Sequence, residues 1–128
     1  MNPEEEKKRI LVVEDDPELS ELLSTLLTNQ GFDVQTCMHG DDALDYAQKN
    51  SFNLIILDIM LPGKNGYEIC RALKEQPSSG QPPIIFLSAL AQKSEIDKGL
   101  AAGATLYIKK PYENAYLLEQ IHKLLERP

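Results

Sequence analysis

Leu54-Ile55-Ile56-Leu57-Asp58 places a carboxylate directly after four large aliphatic residues. Similar short apolar runs occupy residues 10–13, 84–87 and 105–108, and turn or polar residues bound each of them. Nearly continuous apolar character is typical of strands that are covered on both faces, as in a parallel sheet. Residues 32–37 alternate between polar and less polar side chains instead, which predicts a half-covered edge strand. The sequence therefore predicts five strands.

Helical patterns separate these strands. The clearest is an amphipathic stripe with the spacing i, i+3, i+4, i+7, i+8, formed by Leu19, Leu22, Leu23, Leu26 and Leu27. We expect Asp16 to cap this helix, Pro17 to occupy its first position and Gly31 to follow its end. Further helices are predicted over residues 42–49, 66–74 and 92–102, and around Leu117, Ile121 and Leu124. The helix over 92–102 has few apolar residues, so we expect it to be exposed.

Five strands that alternate with five helices predict one α/β doubly wound domain. Parallel neighbours require right-handed crossovers, which place helices on both faces of the sheet. In such folds, ligands bind beyond the carboxyl ends of the strands. The polar residues at those ends are therefore the candidates for function.

Four strand ends carry such residues: Glu14 and Asp15, then Asp58, Ser88, and Lys110. Carboxylates that converge repel one another unless a cation or proton intervenes, and oxygen ligands of this kind suit Mg²⁺ or Mn²⁺. Taken singly, each residue has an ordinary structural explanation, such as a turn, a strand-end hydroxyl or a solvated charge. Their joint placement favours a divalent metal site.

The composition limits the classes of partner. The chain has 128 residues and a net charge of −7, from 20 acidic against 13 basic residues. This charge predicts a protein partner and no direct binding of nucleic acid or an anionic membrane surface. No signal peptide or membrane span is evident, so a soluble, cytoplasmic protein is expected, with residues 1–8 as a flexible tail. Cys37 and Cys70 lack CxxC spacing and are expected to be reduced.

Several motifs, in order, resemble the receiver domains of two-component response regulators. They are Ile10-Leu11-Val12-Val13-Glu14-Asp15-Asp16, Leu57-Asp58-Ile59-Met60-Leu61-Pro62-Gly63, Phe86-Leu87-Ser88-Ala89, Ala102-Gly103-Ala104 and Lys110-Pro111. The resemblance covers nearly the whole chain. It implies a flavodoxin-like fold with strand order 2-1-3-4-5.

The resemblance also implies roles for individual residues. Asp58 falls on the phosphoacceptor, and Asp15, Asp58 and the backbone carbonyl of Met60 fall on the ligands of Mg²⁺ (or Mn²⁺), with Glu14 in support or acting through water. Lys110 falls on the lysine that contacts the phosphoryl group. The metal ligands and the acceptor would together form one site.

The same resemblance implies a switch. Ser88 and Tyr107 fall on its hydroxyl and aromatic residues, and the bond before Pro111 is expected to be cis. The implied donor is a sensor histidine kinase or a histidine phosphotransfer protein. A downstream protein is expected at the face of helix 4, strand 5 and helix 5. Met60 and Leu90 are apolar at positions that tune hydrolysis, which predicts slow self-dephosphorylation.

Three other functions share parts of this pattern. A phosphatase forming an aspartyl phosphate needs an acid two residues after the nucleophile, where Met60 stands. Flavin binding needs a phosphate cradle where the acidic Glu14-Asp15-Asp16 loop lies. A receiver-like interaction module without phosphorylation remains open. So does the choice between a stand-alone receiver and a receiver from a longer regulator or hybrid kinase.

Overall fold

The structure is a computed structural model that describes residues 7–59, 65–75, 82–90 and 92–126. Strands and helices alternate strictly along this part of the chain. Their order is β1 Arg9–Val13, α1 Pro17–Asn29, β2 Asp33–Cys37, α2 Gly40–Lys49, β3 Leu54–Asp58, α3 Gly66–Lys74, β4 Ile84–Ser88, α4 Lys93–Ala101, β5 Leu106–Lys109 and α5 Asn114–Leu125.

The five strands form one parallel sheet in the order β2-β1-β3-β4-β5. This confirms the predicted doubly wound α/β fold, and β2 lies at an edge as its alternating pattern predicted. The boundaries of α3 match the prediction, whereas most other element boundaries differ from it by one or two residues. For example, α2 begins at Gly40 and not at residue 42, and β5 begins at Leu106 and not at residue 105. Most of the predicted tail, residues 1–6, lies outside the described residues.

The two faces of the sheet bury two separate apolar clusters. One cluster includes Leu11, Ile55 and Phe86 and is covered by the helices α2, α3 and α4. The other includes Val12 and Ile56, on the opposite face, and is covered by α1 and α5. Each fully buried side chain of this size contributes roughly 1.5–3 kcal/mol. Burial on both faces explains why the central strands read as unbroken apolar runs.

Helix α1 begins as the sequence predicted. The Asp16 carboxylate accepts hydrogen bonds from the backbone N–H groups of Glu18 (3.0 Å) and Leu19 (3.4 Å), and Pro17 is the first helical residue. The leucine stripe is wider than the buried face, however. Leu23 and Leu27 are buried, whereas Leu22 is 66% exposed.

Helix α3 begins with a capping box that was not predicted from the sequence. The Asn65 side chain accepts a hydrogen bond from the Glu68 N–H (3.0 Å), and the Glu68 carboxylate accepts one from the Asn65 N–H (3.4 Å). The signal was available, because Asn-x-x-Glu before a helix is typical of this motif. The cap fixes the start of α3 close behind β3.

Helix α4 is exposed, as the sequence predicted. All of its residues are described, and Gly99 is the only one of them that is buried.

Candidate functional site

The predicted site residues within the described chain meet at the carboxyl edge of the sheet. Glu14 and Asp15 follow β1, Asp58 ends β3, Ser88 ends β4 and Lys110 follows β5. The parallel register aligns these strand ends, with Asp58 paired to Leu87 and Ser88 paired to Lys109. Residues that are far apart in the sequence thus share one small volume.

Lys110 lies at the centre of the acidic cluster. Its ammonium Nζ donates to Glu14 Oε1 at 2.7 Å and to Asp58 Oδ2 at 3.1 Å. The side chains of Glu14 and Asp58 are only 3% and 12% exposed. Charge-assisted hydrogen bonds are stronger in such surroundings than in water. Lys110 therefore holds two carboxylates in place while offsetting part of their charge.

Burial and pairing oppose each other in the titration of this cluster. Burial raises the pKa of Glu14, although the hydrogen bond from Lys110 acts to lower it. Burial alone would lower the pKa of Lys110, but the hydrogen bonds to Glu14 and Asp58 and the negative charges of these two groups together outweigh burial, and the net effect raises the pKa. The lysine is consequently a stable cation at neutral pH.

Glu14, Asp15 and Asp58 could together hold a metal ion. One carboxylate oxygen from each lies within 4.8 Å of the others. Glu14 Oε1 accepts from Lys110, and Glu14 Oε2 accepts from the Asp16 N–H at 3.2 Å. Glu14 is thus suited to a supporting role, while the exposed Asp15 can turn toward a cation. Hard oxygen donors of this kind fit Mg²⁺ or Mn²⁺. Met60, the expected carbonyl ligand, lies outside the described residues.

Ser88 and Tyr107 both contact the loop after β4. The buried Ser88 hydroxyl accepts a hydrogen bond from the Leu90 N–H at 3.0 Å. The Tyr107 hydroxyl donates to the Leu90 carbonyl at 2.6 Å, and its ring packs edge-to-face on Phe86 with a centroid distance of 6.1 Å. The backbone of Leu90 therefore connects the Ser88 hydroxyl, near the site, with Tyr107 on β5.

The segment after β5 completes the site. The peptide bond between Lys110 and Pro111 is cis, as the resemblance implied. The Lys110 N–H donates to the Ser88 carbonyl at 2.8 Å. This bond ties the end of β5 to the end of β4 beside the acidic cluster.

An apolar groove of about 510 Å³ adjoins the acidic cluster. Its walls are α1 and the segment from β5 to α5, and Glu14 and Lys110 line both the groove and the site. The leucine stripe of α1, interpreted from the sequence as one helix face, supplies one wall through Leu19, Leu22 and Leu26. Sequence patterns cannot separate a groove wall from a buried face, because both are apolar at helical spacing.

Comparison with known proteins agrees with this geometry. The model of the response regulator receiver domain family matches residues 10–122. The chain belongs to this family. Such domains are parts of two-component systems and are not metabolic enzymes. Within the described residues, no helix has the length and apolar character needed to cross a membrane.

Named relatives give the same result. The phosphate regulon transcriptional regulatory protein PhoB of Rhizobium meliloti is 42% identical over 119 residues, which are 93% of this chain and 52% of that protein. The chain thus spans about half the length of the curated relatives it matches.

Solved structures also superpose closely. A response regulator from Chloroflexus aurantiacus has a TM-score of 0.89 and 32% identity, covering 95% of this chain and all (100%) of that one. The BeF3-activated N-terminal receiver domain of Klebsiella pneumoniae RstA has a TM-score of 0.87 and 35% identity, covering 94% of this chain and 100% of that one. Both structures share the doubly wound fold of this chain over 94–95% of its length.

Proposed function

We propose that Asp58 is the phosphoacceptor of this receiver domain. The observation that carries the proposal is the position of its carboxylate, held at 3.1 Å from Lys110 and within reach of two further acids at the carboxyl edge of the sheet. A carboxylate fixed in this way is a nucleophile whose new phosphoryl group would find a cation already in place. The single receiver domain is proposed to extend over residues 1–128.

The transfer needs few protein groups. An Asp58 oxygen attacks phosphorus, the bond from phosphorus to the donor breaks, and the donor leaves with the bonding electrons and takes up a proton. Lys110 neutralises phosphoryl oxygens, and Asp15, Asp58 and Glu14 would hold Mg²⁺ (or Mn²⁺) beside them. When bound, the ion offsets the negative charge that builds up on those oxygens. This is the sense in which the domain would assist its own phosphorylation.

The contacts around Leu90 support a switch. Ser88 is proposed to turn its hydroxyl to the new phosphoryl oxygens. This rotation would draw in the loop after β4, because the same hydroxyl accepts a hydrogen bond from the Leu90 N–H. Tyr107 would move with that loop, because its hydroxyl is bonded to the Leu90 carbonyl. The charge added by phosphorylation of Asp58 would thereby alter the surface of α4, β5 and α5.

Two surfaces are proposed for partners. A sensor histidine kinase or histidine phosphotransfer protein must reach Asp58 and would therefore cover the adjoining groove along α1. A downstream protein would bind the face of α4, β5 and α5, where Leu100 and Tyr116 are 45% and 47% exposed. The chain itself is proposed to contact proteins and not DNA, consistent with its net charge of −7. The cytoplasmic location stays a prediction.

The direct test is a phosphorylation assay on the intact protein. The chain is incubated with acetyl phosphate, with Mg²⁺ or with EDTA, and its mass is measured. We expect the parent to gain one phosphoryl group in the presence of Mg²⁺ but not in EDTA. Asp58→Asn should gain none under either condition. Asp16→Asn is the matched control, because Asp16 is exposed and Asn also caps helices well; it should still gain the group. No gain in the parent would favour the interaction module without phosphorylation.

A further inference from the structure

The hydroxyl of Tyr67 joins two helices that otherwise touch little. Tyr67 lies in the first turn of α3 and is buried, at 5% exposure. Its hydroxyl donates to Glu95 Oε2 at 2.6 Å and lies 3.3 Å from the Glu95 backbone carbonyl. Burial, followed by the hydrogen bond to Glu95, raises the pKa of Tyr67. The hydroxyl therefore stays protonated and remains a donor across the physiological range.

A second contact joins the same tyrosine to α4. The Lys98 Nζ lies over the Tyr67 ring, 4.9 Å from its centroid. Glu95 and Lys98 stand three residues apart, on neighbouring turns of one helix face. The ring and the hydroxyl of Tyr67 thus each engage a different side chain of α4.

These contacts matter because α4 buries so little apolar surface. Gly99 is its sole buried residue, and it sits where a Cβ atom would come within 2.8 Å of Phe86 and 3.0 Å of Tyr107. A helix with few buried apolar side chains is easily displaced or locally unfolded. The polar contacts of Tyr67 therefore add to the limited packing that holds α4 on the sheet.

The same turn of α3 also packs against the backbone of Asp58, the proposed phosphoacceptor. A Cβ atom on Gly66 would lie 2.8 Å from the Asp58 carbonyl oxygen. The Gly66 N–H donates to the Ile59 carbonyl at 2.8 Å. Movement of the backbone at Asp58 would accordingly be transmitted to Gly66 and its neighbour Tyr67.

We infer that Tyr67 is a positioning residue that couples the backbone at Asp58 to α4 through Glu95. This link meets the one through Ser88, Leu90 and Tyr107, because the hydroxyls of Tyr67 and Tyr107 also interact through a hydrogen bond. Its connection to signalling rests on the proposed function of Asp58, whereas its effect on α4 does not. Tyr67 would set how often α4 unfolds locally or separates from the sheet, both before and after a group binds at Asp58.

Hydrogen exchange measured along the full chain tests the effect on α4. Tyr67→Phe keeps the ring and removes the donor, so amides of residues 93–101 should exchange about tenfold faster, with β1 and α1 unchanged. Glu95→Ala should also speed this exchange, but by no more than Tyr67→Phe, because the Glu95 backbone carbonyl can still accept from the hydroxyl. The double variant should be no faster than Tyr67→Phe, and Glu95→Gln, which keeps a side-chain acceptor oxygen, should keep most of the protection. Tyr46→Phe, a change at a tyrosine 38% exposed on α2, is the matched control.

Three results would overturn the inference: α4 exchange within about twofold of the parent in Tyr67→Phe, faster exchange spread over the whole chain, or additive effects of Tyr67→Phe and Glu95→Ala.

A second experiment tests the link to Asp58. Mg²⁺ and BeF₃⁻ are added to the same samples, fluorine NMR detects bound BeF₃⁻, and hydrogen exchange is measured again. We expect Tyr67→Phe to bind BeF₃⁻ yet to lose about half or more of the change in α4 exchange that binding causes in the parent. An undiminished change would refute the coupling. Absence of bound BeF₃⁻ in the parent would instead count against the proposed function, and the exchange rates without it still decide the role of Tyr67.

Discussion

Replacing Lys110 by methionine isolates what the central cation contributes. Methionine keeps much of the apolar stem but removes the ammonium group that pairs with Glu14 and Asp58. Glu14, 2% exposed, would remain buried next to Asp58 without that partner. An unpaired buried charge costs about 3–5 kcal/mol.

Protonation of Glu14 sets an upper limit on the part of the loss that comes from Glu14, which is the more deeply buried of the two carboxylates. A carboxyl with the reference pKa of 4.5 can be protonated at pH 7 for about 3.4 kcal/mol. We therefore expect Lys110→Met to lose about 2–3.4 kcal/mol of unfolding free energy at pH 7 without metal. The variant should raise the folded-state pKa of Glu14 further above its unfolded value, so its deficit should shrink as the pH falls, to below about 1 kcal/mol at pH 5.

Urea unfolding followed by circular dichroism, in EDTA, measures these differences between pH 5 and pH 7.5. Lys109→Met is the matched control, because Lys109 is an exposed neighbour and its loss should cost no more than about 0.5 kcal/mol. Mg²⁺ should narrow the gap between parent and Lys110→Met, since it offsets the same carboxylates. A deficit at pH 7 no larger than that of Lys109→Met, or one independent of pH, would refute the assigned role of Lys110.

Three other changes test separate parts of the structure. Gly99→Ala should lower the unfolding free energy by about 1 kcal/mol, because crowding of Phe86 and Tyr107 outweighs the roughly 1 kcal/mol gained in helix propensity; a stabilised variant in thermal unfolding would contradict this. Asn65→Ala should cost about 1 kcal/mol through loss of the α3 cap, measured by urea unfolding, with Asn65→Asp near the parent. Burial raises the pKa of the Cys70 thiol to about 11 from a reference of 9.0. The unfolded chain therefore loses this proton first, and the parent should lose about 1.9 kcal/mol more stability than Cys70→Ala between pH 9 and pH 11; parallel pH profiles would argue against it.

Local patterns were sufficient for the elements and for the strand ends. The run before Asp58 predicted a strand buried on both faces, and alternation over residues 32–37 predicted an edge strand, because each segment records its own burial. Asp16 predicted the start of α1 for an equally local reason, since a cap bonds to N–H groups two and three residues away. These features depend on the chain within one turn or one strand.

The strand order needed the family resemblance, and the contacts within the site needed the folded chain. Lys110 meets Glu14 across 96 residues, and Tyr67 meets Glu95 across 28. No periodicity encodes such pairs, because the crossovers and the strand order decide which segments become neighbours. The fate of the α1 leucines was likewise decided by packing. Leu23 and Leu27 face the sheet while Leu22 stays 66% exposed, because the apolar stripe is broader than the surface that the sheet and its neighbours cover.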